Sequence, residues 1–239
     1  MLNDSPDGVL LIDKPQQMTS HDVVAIVRRK LQTKKVGHCG TLDPMATGLL
    51  IVVVGKGTKI QDLLMAEDKE YLGEMRLGIS TDSQDADGQV IGERPVPLLL
   101  PDDIEAAFNR FHGDFYQTPP MVSAIKKDGV PLYKLARQGK TVEREARFVH
   151  VFAHEVLSAQ PPDIQFRVVC SKGFYVRTYA NDIGEHLGCG AHLTSLRRTK
   201  SGRFVVSNAI PLDRLESMST GESRAQILDL ATVSRMRGA

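Results

Sequence analysis

Six consecutive apolar residues, Leu49 to Val54 (LLIVVV), leave this chain of 239 residues few ways to fold. The unbroken, largely β-branched run predicts a central strand. What precedes it is of the opposite kind. From Gly37 to Gly48 the chain reads GHCGTLDPMATG, with glycines that permit sharp turns and the close approach of another molecule. Pro44 pushes Asp43 out of the helical region toward extended backbone. His38, Thr41 and Thr47 supply polar groups around the carboxylate. A lone Asp-Pro is ordinary turn chemistry, but twelve residues of such mixed composition predict a held loop that presents an acid.

Around this pair the remaining elements follow from periodicity. Val9 to Asp13 predicts a short buried strand, after which Thr19 or Ser20 caps a helix with Val23, Val24, Val27 and Leu31 on its apolar side. A short helix is predicted over Thr58 to Met65 and a strand over Lys69 to Leu77. Asp102 or Asp103 is expected to cap a helix bearing Ile104, Ala107, Phe108 and Phe111. From Thr118 to Arg147 the pattern loosens, with one helical stretch near Leu132 to Gln138 closed by Gly139. Ile164, Phe166, Val168 and Cys170 alternate as a strand, and a helix from Val176 to Leu187 stops at Gly188. Strands over Leu193 to Arg198 and Phe204 to Val206, then a helical segment near Arg224 to Leu230, complete the chain. Helices set among strands without strict βαβ alternation imply an α+β fold.

Composition excludes several classes. Hydrophobic residues make up 41% and charged residues 25%, as in an ordinary globular protein. The start, MLNDSPDG, has neither the basic nor the apolar region of a signal peptide, and no apolar run reaches membrane-spanning length, so a cytoplasmic protein is expected. Cys39, Cys170 and Cys189 are widely spaced and form no CxxC pair, which points to reduced thiols rather than disulfides or zinc. The acids Asp82, Asp85 and Asp87 fit no register of a calcium loop, and Gly55-Lys56-Gly57 lacks the spacing of a phosphate-binding loop. Net charge is only +1, yet three basic stretches stand out. They are Arg28 to Lys35, Lys126 to Arg147, and Arg197 to Arg203. Each could follow a phosphate backbone or be a solvated face.

The motif GHCGTLDPMATG resembles the catalytic-aspartate motif of the tRNA pseudouridine-55 synthases, the TruB-like family. GVLLIDKPQQMTS (Gly8 to Ser20) resembles that family's opening strand and Lys-Pro turn, Asp68 to Gly78 its tyrosine-bearing strand, and SKGFYVRT (Ser171 to Thr178) its arginine motif. The resemblance runs in order from about Gly8 to Leu215. It implies a mixed, largely antiparallel central sheet flanked by helices, with residues 118–147 as an inserted thumb-like loop that grips the RNA stem-loop. The whole of residues 1–239 would be one catalytic domain, without the C-terminal RNA-binding domain of many relatives. The implied activity is isomerisation of uridine to pseudouridine at position 55 of the tRNA T-loop, with the target base flipped out. No metal, no redox cofactor and no guide RNA are expected, in contrast to the dyskerin-like branch, and the enzyme would act as a monomer.

Site residues follow from the same resemblance. Asp43 is the catalytic carboxylate, acting by a transient covalent bond or by assisting deprotonation of the ribose. Arg177 matches the cation that keeps it charged, and Tyr71 the tyrosine that stacks on the extruded base. Tyr175 and Leu196 match residues lining the base pocket, His38 the residue that enters the RNA fold, and Asp85 a contact to base donors. Lys126, Arg137 and Arg144 are expected to hold phosphates, and Lys14 with Pro15 to buttress the aspartate loop. From the residues alone, Arg177 reads equally well as an exposed charge in a first helical turn. An RNA-folding module with little catalysis is the competing class; an aspartate-nucleophile hydrolase would need partner acids that are missing.

Overall fold

The computed structural model describes residues 6–123, 125–127, 129–136, 138–140 and 142–238, with backbone alone at Lys126, Lys127, Pro131, Tyr133 and Ala136. The chain first forms β1 (Gly8–Lys14), α1 (Ser20–Leu31), β2 (Val36–Cys39) and β3 (Thr47–Val54). A 3-10 turn (Gly55–Ile60) leads into α2 (Gln61–Met65), β4 (Lys69–Leu77), β5 (Ile79–Thr81) and β6 (Val90–Glu93). Next come α3 (Pro101–Asn109), β7 (Gly113–Gln117), β8 (Lys126–Lys127), β9 (Val130–Pro131), α4 (Leu132–Ala136), β10 (Arg147–Gln160) and β11 (Asp163–Cys170). The rest is α5 (Val176–His186), β12 (Ala191–Ser201), β13 (Phe204–Val205), β14 (Ile210–Pro211), α6 (Leu212–Ser217), α7 (Thr220–Ala225) and α8 (Leu230–Arg237). Ten of these strands form a mixed sheet, antiparallel at β1–β3, β2–β3, β7–β10, β10–β11 and β12–β13 and parallel at β1–β14 and β3–β12. The expected α+β class is therefore found.

Two compact units divide the chain, Met1–Tyr71 with Leu196–Ala239, and Leu72–Ser195. In the first, β3 is buried along nearly its whole length, as its apolar run requires. The register pairs Gly8 through Lys14 with Val54 through Gly48. Its other edge is shared: β2 takes Ile51 to Val54, and Arg197 and Arg198 of β12 take Thr47 and Gly48. At this junction Gly48 has φ +98°, and a side-chain carbon there would sit 2.4 Å from the Arg198 carbonyl oxygen. Gly48→Ala is expected to cost at least about 2 kcal/mol, because strained φ and a backbone clash coincide. A urea titration showing a loss below about 0.5 kcal/mol would contradict this, since strained backbone alone costs more than that.

Helix α1 begins as its sequence dictates. Thr19 accepts from the Asp22 N–H and Asp22 accepts from the Thr19 N–H, a reciprocal cap. The predicted stripe of Val23, Val24, Val27 and Leu31 is buried.

In the second unit, β10 pairs with β11 on one edge and β7 on the other. Helices α3 and α5 supply Phe108 and Tyr179, which meet Phe166 of β11 in edge-to-face contacts with centroids 5.5 to 5.9 Å apart. Three local expectations need correction. Neither Asp102 nor Asp103 caps α3: Leu100 is the cap residue, Pro101 opens the helix, and Asp103 accepts from the Leu100 N–H at 2.8 Å. The start of the expected Gly37 loop is strand, because Val36 to Cys39 complete the edge of β3. The single helix expected near Arg224 to Leu230 is replaced by α7 and α8 on either side, each with its own cap, Ser219 and Asp229.

Candidate active site

Because β2 and β3 pair as a hairpin, the aspartate loop contracts to Gly40 through Ala46, and its backbone is tied at alternate residues. Arg198 Nη2 donates to the Gly40 carbonyl at 3.1 Å. Ser20 Oγ accepts from the Leu42 N–H at 2.9 Å and donates to its carbonyl at 3.2 Å. The Pro44 carbonyl accepts from the Gln17 N–H at 2.8 Å and from Lys14 Nζ at 3.4 Å. Asp43 closes its own turn, its carbonyl accepting from the Ala46 N–H at 3.0 Å. Leu42, Met45 and Ala46 are buried, whereas Asp43 is half-exposed. A carboxylate is thus offered at the surface by a loop that cannot drift.

Two buried cations do the tying. Lys14 is fully buried and donates to the Met18 and Pro15 carbonyls at 2.7 and 2.9 Å; its third bond, to Pro44 at 3.4 Å, is the one that buttresses the aspartate loop. Burial pushes its pKa down to about 8, with nearby Asp43 pulling upward and Arg198 pushing further down. Arg198 is 1% exposed and also donates Nε to the Leu49 carbonyl at 2.7 Å. Sequence reasoning had grouped Arg198 with a basic surface run. That grouping is corrected: Arg197 makes a two-pronged pair with Asp13, at 3.0 and 2.7 Å, and Lys200 pairs with Glu70. Cys39, close by, is buried and its thiol is pushed up to about 12, chiefly by burial, which leaves it inert.

His38 sits on β2 with its ring edge-on to His21, centroids 5.1 Å apart. Its Nδ1 is buried without a hydrogen-bond partner among the described residues. Burial first, then His21 and Arg198, lower its pKa to about 4. The neutral ring is therefore favoured in the fold. The stability this contributes is present above pH 6.5 and is lost as pH falls through about 4. The stability advantage of wild type over His38→Gln should accordingly shrink between pH 7 and pH 4 in denaturant titrations. A flat difference would show that the imidazole titrates normally.

The second unit carries the arginine motif. Arg177, second residue of α5, is 2% exposed, so the surface-charge reading of it fails. Nη1 donates to the Ser83 carbonyl and Nη2 to the Val122 carbonyl, both at 2.8 Å, and the guanidinium lies 3.5 Å from Asp85. Asp85 is also buried and accepts from Ser83 Oγ and from the Asp87 N–H. Thr178 on the next position donates to the Gln84 side chain at 2.8 Å. The first turn of α5 therefore clamps the acidic loop, and the pairing offsets the mismatch of a cation with the helix N-terminus.

Tyr175 is the cap residue of α5 and is half-exposed. Buried Gln117 holds its backbone from both sides, accepting from the Tyr175 N–H at 2.8 Å and donating to its carbonyl at 3.1 Å. The sequence carried no signal for Gln117. Tyr71 on β4 and Leu196 on β12 are 8% and 7% exposed. Of the expected phosphate contacts, Arg144 donates to the Pro119 carbonyl at 2.9 Å and is half-buried. Arg137 and the side chain of Lys126 lie outside the described residues. Among the described residues no group of three or more His, Cys, Asp or Glu is placed to hold a metal, and no helix is long and apolar enough to cross a membrane.

Residues 28–176 match the family model of the TruB family pseudouridylate synthase N-terminal domain, and residues 177–232 that of the tRNA pseudouridylate synthase B C-terminal domain. The tRNA pseudouridine synthase B of Opitutus terrae is 54% identical over 222 residues, covering 93% of this chain and 92% of that protein. That of Geobacter sulfurreducens is 50% identical over 222 residues, covering 93% and 73%. Among solved structures, a Cbf5-Nop10-Gar1 complex contains a chain that matches with TM-score 0.73 and 30% identity over 97% of this chain. An H/ACA RNP bound to a substrate RNA containing 2'-deoxyuridine contains one that matches with TM-score 0.70 and 27% identity, again over 97%. This chain spans 62% of each of those two chains. Family models that together span most of the chain, and relatives half identical over nearly all of it, place this chain in the TruB family of pseudouridylate synthases, which isomerise uridine to pseudouridine.

Proposed function

We propose that this enzyme isomerises the uridine at position 55 in the T-loop of tRNA, in the cytoplasm and without a guide RNA, with Asp43 as its catalytic carboxylate. The observation that carries the reading is the half-exposed Asp43 on a loop held at Gly40, Leu42 and Pro44. The reaction breaks the bond between ribose C1' and uracil N1, turns the base and forms a bond from C1' to C5. The C5 proton leaves and N1 regains one, so the atoms balance within the substrate and no redox cofactor is required. A carboxylate whose position is fixed before the RNA arrives suits that chemistry, because orientation is supplied by the fold rather than at the moment of reaction.

In this reading the target nucleotide is turned out of the RNA stack, as enzymes acting on a base require. Tyr71 stacks on the base, Tyr175 and Leu196 line its pocket, and Asp85 meets base donors. His38, held neutral, enters the RNA fold as an uncharged ring. Arg177 supplies the fixed positive charge, and Lys126, Arg137 and Arg144 belong to the segment that grips the T-arm. The test is direct. Incubation with unmodified tRNA transcript, followed by pseudouridine mapping, should give modification at position 55. A transcript left unmodified there, or modified elsewhere, would overturn the assignment.

A further inference from the structure

Helix α1 links two features of the first unit. Its first residue, Ser20, is bonded to Leu42 beside Asp43, and its last, Leu31, is eleven residues on, roughly 16 Å away at about 1.5 Å per residue. There Ala25, Arg28, Arg29, Gln32, Thr33 and Lys34 line an open groove of about 670 Å³. No acidic residue lines it.

The cations there are not all accounted for by the helix. Basic residues in a last turn complement the helix dipole, which suffices for Arg28 and Lys30. Arg28 is further committed, donating to the Val36 carbonyl at 2.7 Å, and Lys30 donates to the Glu216 carbonyl. Lys34 is different. It lies beyond the left-handed cap at Gln32, where α1 has ended, and is exposed. Arg29 is 75% exposed and its acidic neighbour among the described residues, Glu216, stands 3.5 Å away and is itself half-exposed, a pairing of little strength in water. The backbone beneath them is fixed, with the Gln32 and Thr33 N–H groups returned to Arg29 and Arg28 and the Gly55 N–H bonded to the Lys35 carbonyl. In the other described basic run of comparable density, Arg197 to Arg203, the residues Arg197, Arg198 and Lys200 are taken up by Asp13, Glu70 and buried carbonyls, which leaves Arg203 as a single exposed cation.

We propose that this groove, at the end of α1 away from the aspartate loop, binds the phosphate backbone of the substrate RNA. The inference rests on the function proposed above for Asp43. A polyanion fits better than a single phosphate, because a helix C-terminus offers no ring of free N–H groups to wrap an isolated anion, whereas separated side-chain cations can follow a charged strand.

The experiment compares wild type with the Arg29→Ala, Lys34→Ala double variant, titrating unmodified tRNA at several salt concentrations. Both side chains are exposed, and unchanged thermal unfolding would confirm an intact fold. The slope of log affinity against log salt should flatten by about two units, with affinity down roughly tenfold or more, while the single-turnover rate at saturating tRNA stays at the wild-type level. An unchanged slope overturns the proposal. So does inorganic phosphate binding that the double substitution abolishes while the tRNA slope is unaffected, which would assign the groove to a free anion. Binding is read without catalysis, so failure here is distinct from failure of wild type to modify position 55.

Discussion

Replacing Asp43 with asparagine is expected to slow single-turnover pseudouridine formation by roughly a thousandfold, about 4 kcal/mol of transition-state stabilisation, while tRNA affinity changes little. The amide has nearly the shape of the carboxylate. The turn to Ala46 uses the Asp43 backbone carbonyl, so it survives the substitution, as do the ties at Gly40, Leu42 and Pro44. What disappears is the charged oxygen, which under the proposed function either bonds to the substrate or takes its proton. Loss confined to rate therefore identifies the carboxylate as chemical rather than structural. Product formed within tenfold of the wild-type rate would remove Asp43 from the mechanism.

Arg177→Ala should damage both stability and rate, because its guanidinium is buried with two backbone carbonyls and a carboxylate as partners. Removing it leaves Asp85 buried beside an empty space. Breaking a buried ion pair from one side costs about 3 to 5 kcal/mol, far more than an exposed pair is worth. Arg177→Lys should recover little of this. A single ammonium on a flexible stem cannot reach the Ser83 and Val122 carbonyls and Asp85 in the directions a planar fork does. Denaturant titration and single-turnover rates together check the prediction. A lysine variant within about 1 kcal/mol of wild type in stability would show that the fork is dispensable there, and one with a near-normal rate would show that Arg177 serves the fold alone.

Much of the architecture was legible because its causes are local. The Thr19 cap, the stripe of Val23, Val24, Val27 and Leu31, and the strand from Leu49 all depend on neighbours within one or two turns or along one strand. β10 shows where local reading ends. It is the longest strand at 14 residues, yet its alternation is broken by register shifts near Val151 and Val156, and exposed Phe148 and Phe152 alternate with buried Val149 and Val151. A strand that carries apolar residues on both faces and shifts register twice shows no clear alternation to detect.

At the candidate site the division is the same. The chain's own order of residues determined that Asp43 stands before a proline in a glycine-rich loop, and that an arginine opens a helix after a glycine turn. Whether a cation serves the surface or the interior was decided only by partners distant in sequence. Arg197 and Arg198 are adjacent and chemically alike, yet one lies half-exposed against Asp13 and the other is sealed beneath Gly40 and Leu49. Arg177 likewise became an interior group because Ser83, Asp85 and Val122 come to it from more than fifty residues away. Desolvation depends on everything packed around a group in three dimensions. Charge is written in the sequence; the burial that turns it into a loop clamp, a salt bridge or an open basic groove is a property of the fold.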